Sequence, residues 1–111
     1  MKARGDCFEV SGKVILNFHP EYPFKKGMKL VHGIVSGQGP LTGIRFGHAW
    51  IEHEGVVLDI SCGKERRMPQ ELYYALGKIS HEGSFYYSRE QAREHVLKTE
   101  HWGPWELEAE Y

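Results

Sequence analysis

The chain has 111 residues, a length typical of one globular domain, so we expect a single domain over residues 1–111. Its apolar fraction of 41% and charged fraction of 26% are those of an ordinary folded protein and exclude disorder as the main state. The formal net charge of -1, with both signs spread along the chain, gives no electrostatic reason to expect nucleic acid or an anionic membrane as a partner.

The sequence carries no targeting or membrane-spanning signal. No apolar run approaches the ~20 residues that a membrane span needs, and the basic start lacks the apolar stretch of a signal peptide. We therefore expect a cytoplasmic protein. The two cysteines, Cys7 and Cys62, are too few for a secreted disulfide framework, so each is interpreted as a free thiol.

The first predicted element is a helix over residues 6–18, where apolar residues recur at nearly helical spacing. Asp6 is its predicted N-cap, with Glu9 as the capping-box partner. Pro20 and the second proline that follows it cannot continue a helix, so they are expected to end it.

Three β-rich runs follow the first helix. Residues 30–36 form the first, and residues 46–54 and Val56–Ser61 form two more, joined at Glu54-Gly55. A glycine-containing pair between two such runs predicts a β-hairpin.

The second half of the chain predicts a solvated loop at the charged run 64–67 and a helix over residues 68–76. A short aromatic strand over residues 84–87 comes next, and a capping box at Ser88 opens a helix that runs to about Thr99. The order of elements predicts an α+β domain, in which a small antiparallel sheet packs with an N-terminal helix and two further helices.

Cys7 stands at the start of the first predicted helix, where the helix dipole and the unpaired amide groups favour a thiolate. Its neighbour Asp6 acts in the opposite direction, because a carboxylate disfavours a second negative charge beside it. A reactive thiol here therefore needs a histidine.

The predicted hairpin supplies that histidine together with a carboxylate. Alternation along the strand places His48, Trp50 and Glu52 on one face. With Glu54-Gly55 as a two-residue turn, Asp59 lies diagonally across from His48 on the same face, within reach of a hydrogen bond. A register shifted by two residues would place them directly opposite each other, and either register brings the carboxylate to the imidazole.

A cysteine that opens a helix, followed by GHAWIE at residues 47–52 and VVLDIS at Val56–Ser61, resembles the transglutaminase-like branch of the papain-like cysteine hydrolases. The resemblance covers about a quarter of the chain and implies a papain-like core. It also implies that Cys7 is the nucleophile, His48 the base and Asp59 the group that orients the base. Residues 30–50 are in addition similar to small proteins of bacteria and their phages.

Three further residues are cleft candidates, each with a structural alternative. Gln38 is a candidate oxyanion donor or simply a polar turn residue, and the latter is favoured. His32 either faces the site or is a packed histidine, which is favoured. Trp50 is expected to pack over the histidine–aspartate pair and exclude water from it.

These patterns favour a thiol-dependent hydrolase or acyltransferase, without a cofactor, that acts on a peptide, a protein or a small amide or ester. A thiol site made of Cys62 and His48, in place of one with Cys7, stays open, and so do two other functions. One is a non-catalytic protein-binding module on the same fold. The other is a zinc-dependent hydrolase that uses the same three residues, although no ligand spacing typical of a metal site occurs in the sequence.

Overall fold

The computed structural model describes residues 6–37, 39–61 and 63–107. Within these ranges it confirms an α+β fold, in which three α-helices accompany one antiparallel sheet of five strands. The helices are α1 Asp6–Ile15, α2 Gln70–Gly77 and α3 Arg89–Thr99, and the strands are β1 Lys29–Ser36, β2 Arg45–His53, β3 Val56–Ser61, β4 Lys64–Pro69 and β5 Phe85–Tyr87.

The first helix is shorter than the sequence predicts. It ends at Ile15, and Asn17 then adopts a left-handed conformation with φ of 66° that turns the chain away before any proline is reached. The prediction of Asp6 as N-cap is wrong, because Asp6 is itself the first helical residue. Glu9 pairs with Lys13 one turn later, at 2.7 Å.

The predicted hairpin is confirmed in its turn and its register. Both turn residues have positive φ, 53° at Glu54 and 78° at Gly55, which matches the right-handed twist of the flanking strands. The pairing of β2 with β3 runs from His53 opposite Val56 to Ile51 opposite Leu58. This is the register that the two-residue turn predicts.

The charged run 64–67 is not a loop, so that prediction is wrong. It belongs to β4, which pairs with β3 along its whole length and places Arg66 opposite Asp59. Gly63, with φ of 75°, precedes β4 as the turn residue, and exposed charges are typical of a protected edge strand. Met68 and Pro69 complete the strand, so α2 begins at Gln70 and not at Met68.

The last two elements agree with the sequence. The aromatic strand appears as β5, and the capping box at Ser88 is confirmed, since its side chain accepts from Gln91 and the Gln91 side chain returns a bond to the Ser88 amide. The strand order in the sheet is β4-β3-β2-β1-β5. No helix in the described residues has the length and apolar character required to cross a bilayer.

The sheet carries a separate apolar cluster on each face, because alternate residues of a strand point to opposite sides. Helix α1 contributes Val14 and Ile15 to the cluster that contains Ile51 of β2. Helix α2 contributes Tyr73 and Tyr74 to the cluster around Trp50, on the other face. Trp50 and Ile51, which are neighbours along β2, therefore face different helices.

Candidate active site

Strand β2 presents His48, Trp50 and Glu52 to the face that α2 covers. Trp50 is fully buried there, and its ring stacks on the His48 ring with 6.1 Å between centroids and 30° between planes. The prediction that Trp50 packs beside the histidine is confirmed. An apolar ring in this position keeps water away from the imidazole and strengthens the electrostatic interactions that it makes.

Asp59 meets His48 from the neighbouring strand. The Nε2 atom of His48 lies 3.1 Å from each carboxylate oxygen of Asp59. The two side chains are only 13% and 7% exposed, respectively. The diagonal pairing expected from the hairpin register therefore exists as a buried hydrogen-bonded pair.

Cys7 completes the group from α1. It lies in the first turn of the helix and packs with Phe8 and with Ala49, the residue that follows His48 on β2. Cys7 also lies close enough to the His48 ring to raise its pKa. Because Nε2 faces Asp59, Nδ1 is the ring nitrogen left for the thiol. The structure thus joins all three predicted residues in one chain of contacts.

The surroundings of His48 favour its protonated form. Burial disfavours the charged ring, but the interactions with Asp59 and Cys7 outweigh that cost and raise the pKa of His48 to about 10. Burial acts against the charge of Asp59 too, yet the bond to His48 and the nearby positive charge hold its pKa below the ordinary value. These surroundings favour an imidazolium held by a carboxylate, next to the sulfur of Cys7.

Two residues of the site were missed by reasoning from the sequence. Tyr73, to which the sequence assigns no role in the site, donates its hydroxyl to Oδ2 of Asp59 at 2.7 Å. Arg66 lies opposite Asp59 on β4, and its charge helps to lower the pKa of Asp59. The turn-forming Gly63 between two runs of possible strand was the signal that could have revealed β4.

A second buried carboxylate, Glu52, anchors the other end of the same face. It accepts hydrogen bonds from the Trp50 indole at 2.9 Å, from Gln70 at 2.7 Å and from the hydroxyl of Tyr74. Tyr74 also shares a hydrogen bond of 2.9 Å with Tyr86. This network fixes the indole that stacks on His48 and ties β2 to α2.

His32 does not reach the site, so its assignment as a cleft residue is wrong. It is fully buried on the α1 side of the sheet, opposite Ala49, among the rings of Phe8, Tyr87 and Trp105 at 4.9 to 5.0 Å. Neither ring nitrogen has a hydrogen-bond partner among the described residues. Burial, together with the nearby His95, lowers the pKa of His32 to about 3.

The aromatic tail packs against the α1 side of the domain. Trp102 contacts the small cluster of Cys7, Phe8 and Ala49, and a side chain at Gly12 would collide with its indole. Cys7 itself is only 5% exposed. Gln38 and Cys62, the remaining candidates from the sequence, lie outside the described residues.

A metal centre gains no support from the geometry. In the described ranges 6–37, 39–61 and 63–107, no set of three or more histidine, cysteine and acidic side chains is arranged to hold a metal ion.

Comparison with known proteins found no match to this chain among protein-family models, curated proteins or solved structures. The function must therefore be argued from the site.

Proposed function

We propose that the protein is a thiol-dependent hydrolase or acyltransferase that works through a covalent thioester on Cys7. The observation that carries the proposal is the buried group in which His48 forms a hydrogen bond with Asp59 and Cys7 lies beside the His48 ring. Thiol catalysis requires a nucleophile, a proton carrier beside it and a group that orients the carrier. These three roles fit the three residues in the order that they contact each other.

Each residue has a defined part in the reaction. A protonated His48 stabilises a thiolate beside it, and the thiolate sulfur of Cys7 attacks the carbonyl carbon of the substrate. As the carbon–nitrogen or carbon–oxygen bond breaks, His48 gives its proton to the leaving group. Water or an amine then attacks the thioester and gives its proton to His48. The carbon–sulfur bond breaks, the acyl product leaves, and Cys7 returns to a thiolate beside protonated His48. Asp59 holds the imidazole in one orientation throughout.

The start of α1 is suited to the negative charge of the intermediate. Cys7 lies in the first turn, where backbone amide groups have no partner within the helix. Its own amide is the natural donor to the oxyanion that forms when the thiol attacks. The helix dipole favours both the thiolate and the oxyanion.

The arrangement also supports a papain-like, transglutaminase-like core as the ancestry of this fold. A cysteine in the first turn of a helix, a histidine on a strand and an aspartate on the next strand follow one another in the chain order that the resemblance implies. We further propose a peptide, a protein or a small amide or ester as the substrate, and the cytoplasm as the compartment. Hydrolysis is favoured over transfer, since so small a domain leaves little room for a second ordered substrate.

Labelling with a small thiol-directed electrophile such as iodoacetamide tests the proposal. We expect one cysteine, Cys7, to react far faster at neutral pH than the thiol of a free amino acid. Cys7→Ala should abolish the fast reaction and leave the fold intact. Cys62→Ala is the matched control, since it removes the other thiol and should keep the fast phase.

Two outcomes would end the assignment. One is equal labelling of the Cys7→Ala variant and the unmodified chain. The other is a Cys7 that reacts no faster than a free thiol while the protein is folded. A small activated ester extends the test to the acyl step, because a thioester should then accumulate on Cys7 and be detected as a mass increase.

One observation favours a second candidate, a non-catalytic protein-binding module. Cys7 is 5% exposed, and Trp102 packs on the cluster that contains it, so a substrate needs a local opening to reach the sulfur. If the protein is a non-catalytic binding module, Cys7 stays unreactive toward every electrophile in the folded state. Reaction of Cys7 faster than a free thiol favours the enzyme.

A further inference from the structure

The hydroxyl of Tyr73 is placed to control the carboxylate of Asp59. His48 Nε2 is 3.1 Å from both oxygens of Asp59, so that contact alone does not distinguish one oxygen from the other. Tyr73 donates to Oδ2 at 2.7 Å, and this second bond fixes the rotation of the carboxylate about its own axis. Tyr73 is buried, so water does not compete strongly for this bond.

The two adjacent tyrosines of α2 divide their hydroxyls between two carboxylates. Tyr73 donates to Asp59 on β3, whereas Tyr74 donates to Glu52 on β2. The Tyr73 ring also packs on Trp50, with 5.2 Å between centroids. One residue therefore touches both the acceptor of His48 and the indole stacked on His48.

We propose that Tyr73 is a positioning residue of the thiol site, which keeps Asp59 ionised and turned toward His48. It does not contact the reacting atoms and acts through Asp59. The inference deepens the proposed function and rests on it for its catalytic meaning.

Tyr73 affects Asp59 because a hydrogen-bond donor stabilises an ionised carboxylate more than the protonated acid. A donor to the ionised form favours that form, so the loss of the donor raises the pKa of the acid. In Asp59 the bond from Tyr73 acts in this direction, alongside the larger effect of His48. A residue that served only as packing would contribute its ring, and its hydroxyl would not affect Asp59.

Tyr73→Phe removes the hydroxyl and keeps the ring. We expect the pKa of Asp59, followed by the NMR signal of its side-chain carboxyl during an acid titration, to rise measurably. The rate of Cys7 alkylation at neutral pH should fall about tenfold, the usual effect of one hydrogen bond to a charged group. Tyr74→Phe is the matched control, because it deletes the neighbouring hydroxyl, which serves Glu52, and should leave the Asp59 titration unmoved.

An Asp59 titration that is the same in Tyr73→Phe and in the unmodified chain would overturn the inference, whatever happens to stability. If the phenylalanine variant does not fold, 3-fluorotyrosine at position 73 replaces it. This more acidic hydroxyl is a stronger donor and should lower the pKa of Asp59, and no shift would again overturn the inference. The titration does not depend on Cys7 reactivity, so a failure of the proposed enzyme activity is seen separately, in the Cys7→Ala comparison.

Discussion

The two buried histidines of the sheet occupy neighbouring places in the fold and opposite electrostatic environments. In the ladder between β1 and β2, His48 lies opposite Gly33 and His32 lies opposite Ala49, one step apart. Because the side-chain period of a strand is two, this single step sends the rings to different faces. His48 meets Asp59 and Cys7, whereas His32 meets only aromatic rings and the tail.

The comparison of the two histidines separates the effect of burial on a histidine pKa from the effect of neighbouring charges. Burial, together with the nearby His95, lowers the pKa of His32 to about 3 and favours the neutral ring. Burial also acts against the charge of His48, but Asp59 and Cys7 outweigh it, raise the pKa of His48 to about 10 and favour the charged ring. The same residue type therefore serves as packing on one face and as the partner of a carboxylate and a cysteine on the other.

The largest expected effect on the rate of Cys7 alkylation comes from removing the negative charge of Asp59, the partner that His48 has and His32 lacks. Asp59→Asn keeps the shape of the side chain but not its negative charge, so His48 should lose both its orientation and its raised pKa. We expect alkylation of Cys7 at neutral pH to slow by about a hundredfold or more, since the orienting aspartate of a catalytic triad has effects of that order or larger. Stopped-time alkylation followed by mass spectrometry measures the rate.

Glu52→Gln is the control for that experiment. It neutralises another buried carboxylate on the same face, one bonded to Trp50, Gln70 and Tyr74. The variant should be less stable but react at nearly the original rate once folded. An equal loss of rate in both variants would mean that general destabilisation, and not the Asp59–His48 bond, controls the thiol.

The pH dependence of stability should show both histidines with opposite signs. The folded-state pKa of His32 is lowered, so its contribution is present above the unfolded value of 6.5 and is lost as the pH falls toward about 3. The folded-state pKa of His48 is raised, so its contribution is complete below 6.5 and is lost as the pH rises toward about 10. Urea unfolding across this range should give a free energy of unfolding with a maximum between the two limits.

His32→Leu isolates the acid side of that curve. It replaces an imidazole that has no hydrogen-bond partner among the described residues with an apolar side chain of similar size. We expect the variant to be about as stable as the unmodified chain at neutral pH, or about 1 kcal/mol more stable. It should also lose less stability between pH 6 and pH 4, and an unchanged acid dependence would contradict the assignment to His32.

A smaller effect should follow from adding a methyl group at Gly12, where α1 packs closely against the tail. An alanine in a helix interior is normally about 1 kcal/mol better than glycine. At Gly12, however, the added Cβ would lie 2.5 Å from Cε3 of Trp102, so the indole must move. We expect Gly12→Ala to be destabilised by about 1 kcal/mol in urea unfolding.

Gly83→Ala is the comparison for that variant, because its Cβ would come no closer than 3.8 Å to its surroundings. It should change the free energy of unfolding little. If Gly12→Ala is the more stable of the two variants, Trp102 does not pack tightly against Gly12.

Local chemistry made much of the site predictable. The Glu54-Gly55 turn determines the hairpin register, and the register determines which side chains share a face. The pairing of His48 with Asp59 could therefore be predicted from the sequence alone. The place of Cys7 in the first turn of α1 was equally local, since helix-start signals lie within a few residues. These features depend on short-range geometry that the sequence expresses directly.

Other features depend on contacts between distant segments. The role of Tyr73 requires knowing that α2 covers the face of β2 and β3 that carries His48 and Asp59, which no local pattern states. The charged run 64–67 becomes a strand because β3 offers it an unpaired edge, and this pairing overrides its loop-like composition. The side on which His32 lies follows from the register of β1 against β2, a long-range pairing.

An NMR titration of the His48 imidazole tests the assembled thiol site most directly, with His32 as the internal reference in the same spectra. We predict that His48 keeps its proton from neutral pH up to about pH 10. We predict that His32 stays neutral down to about pH 3. A His48 ring that loses its proton near the ordinary value of 6.5 would contradict the bonded group of Asp59, His48 and Cys7 on which the proposed chemistry depends.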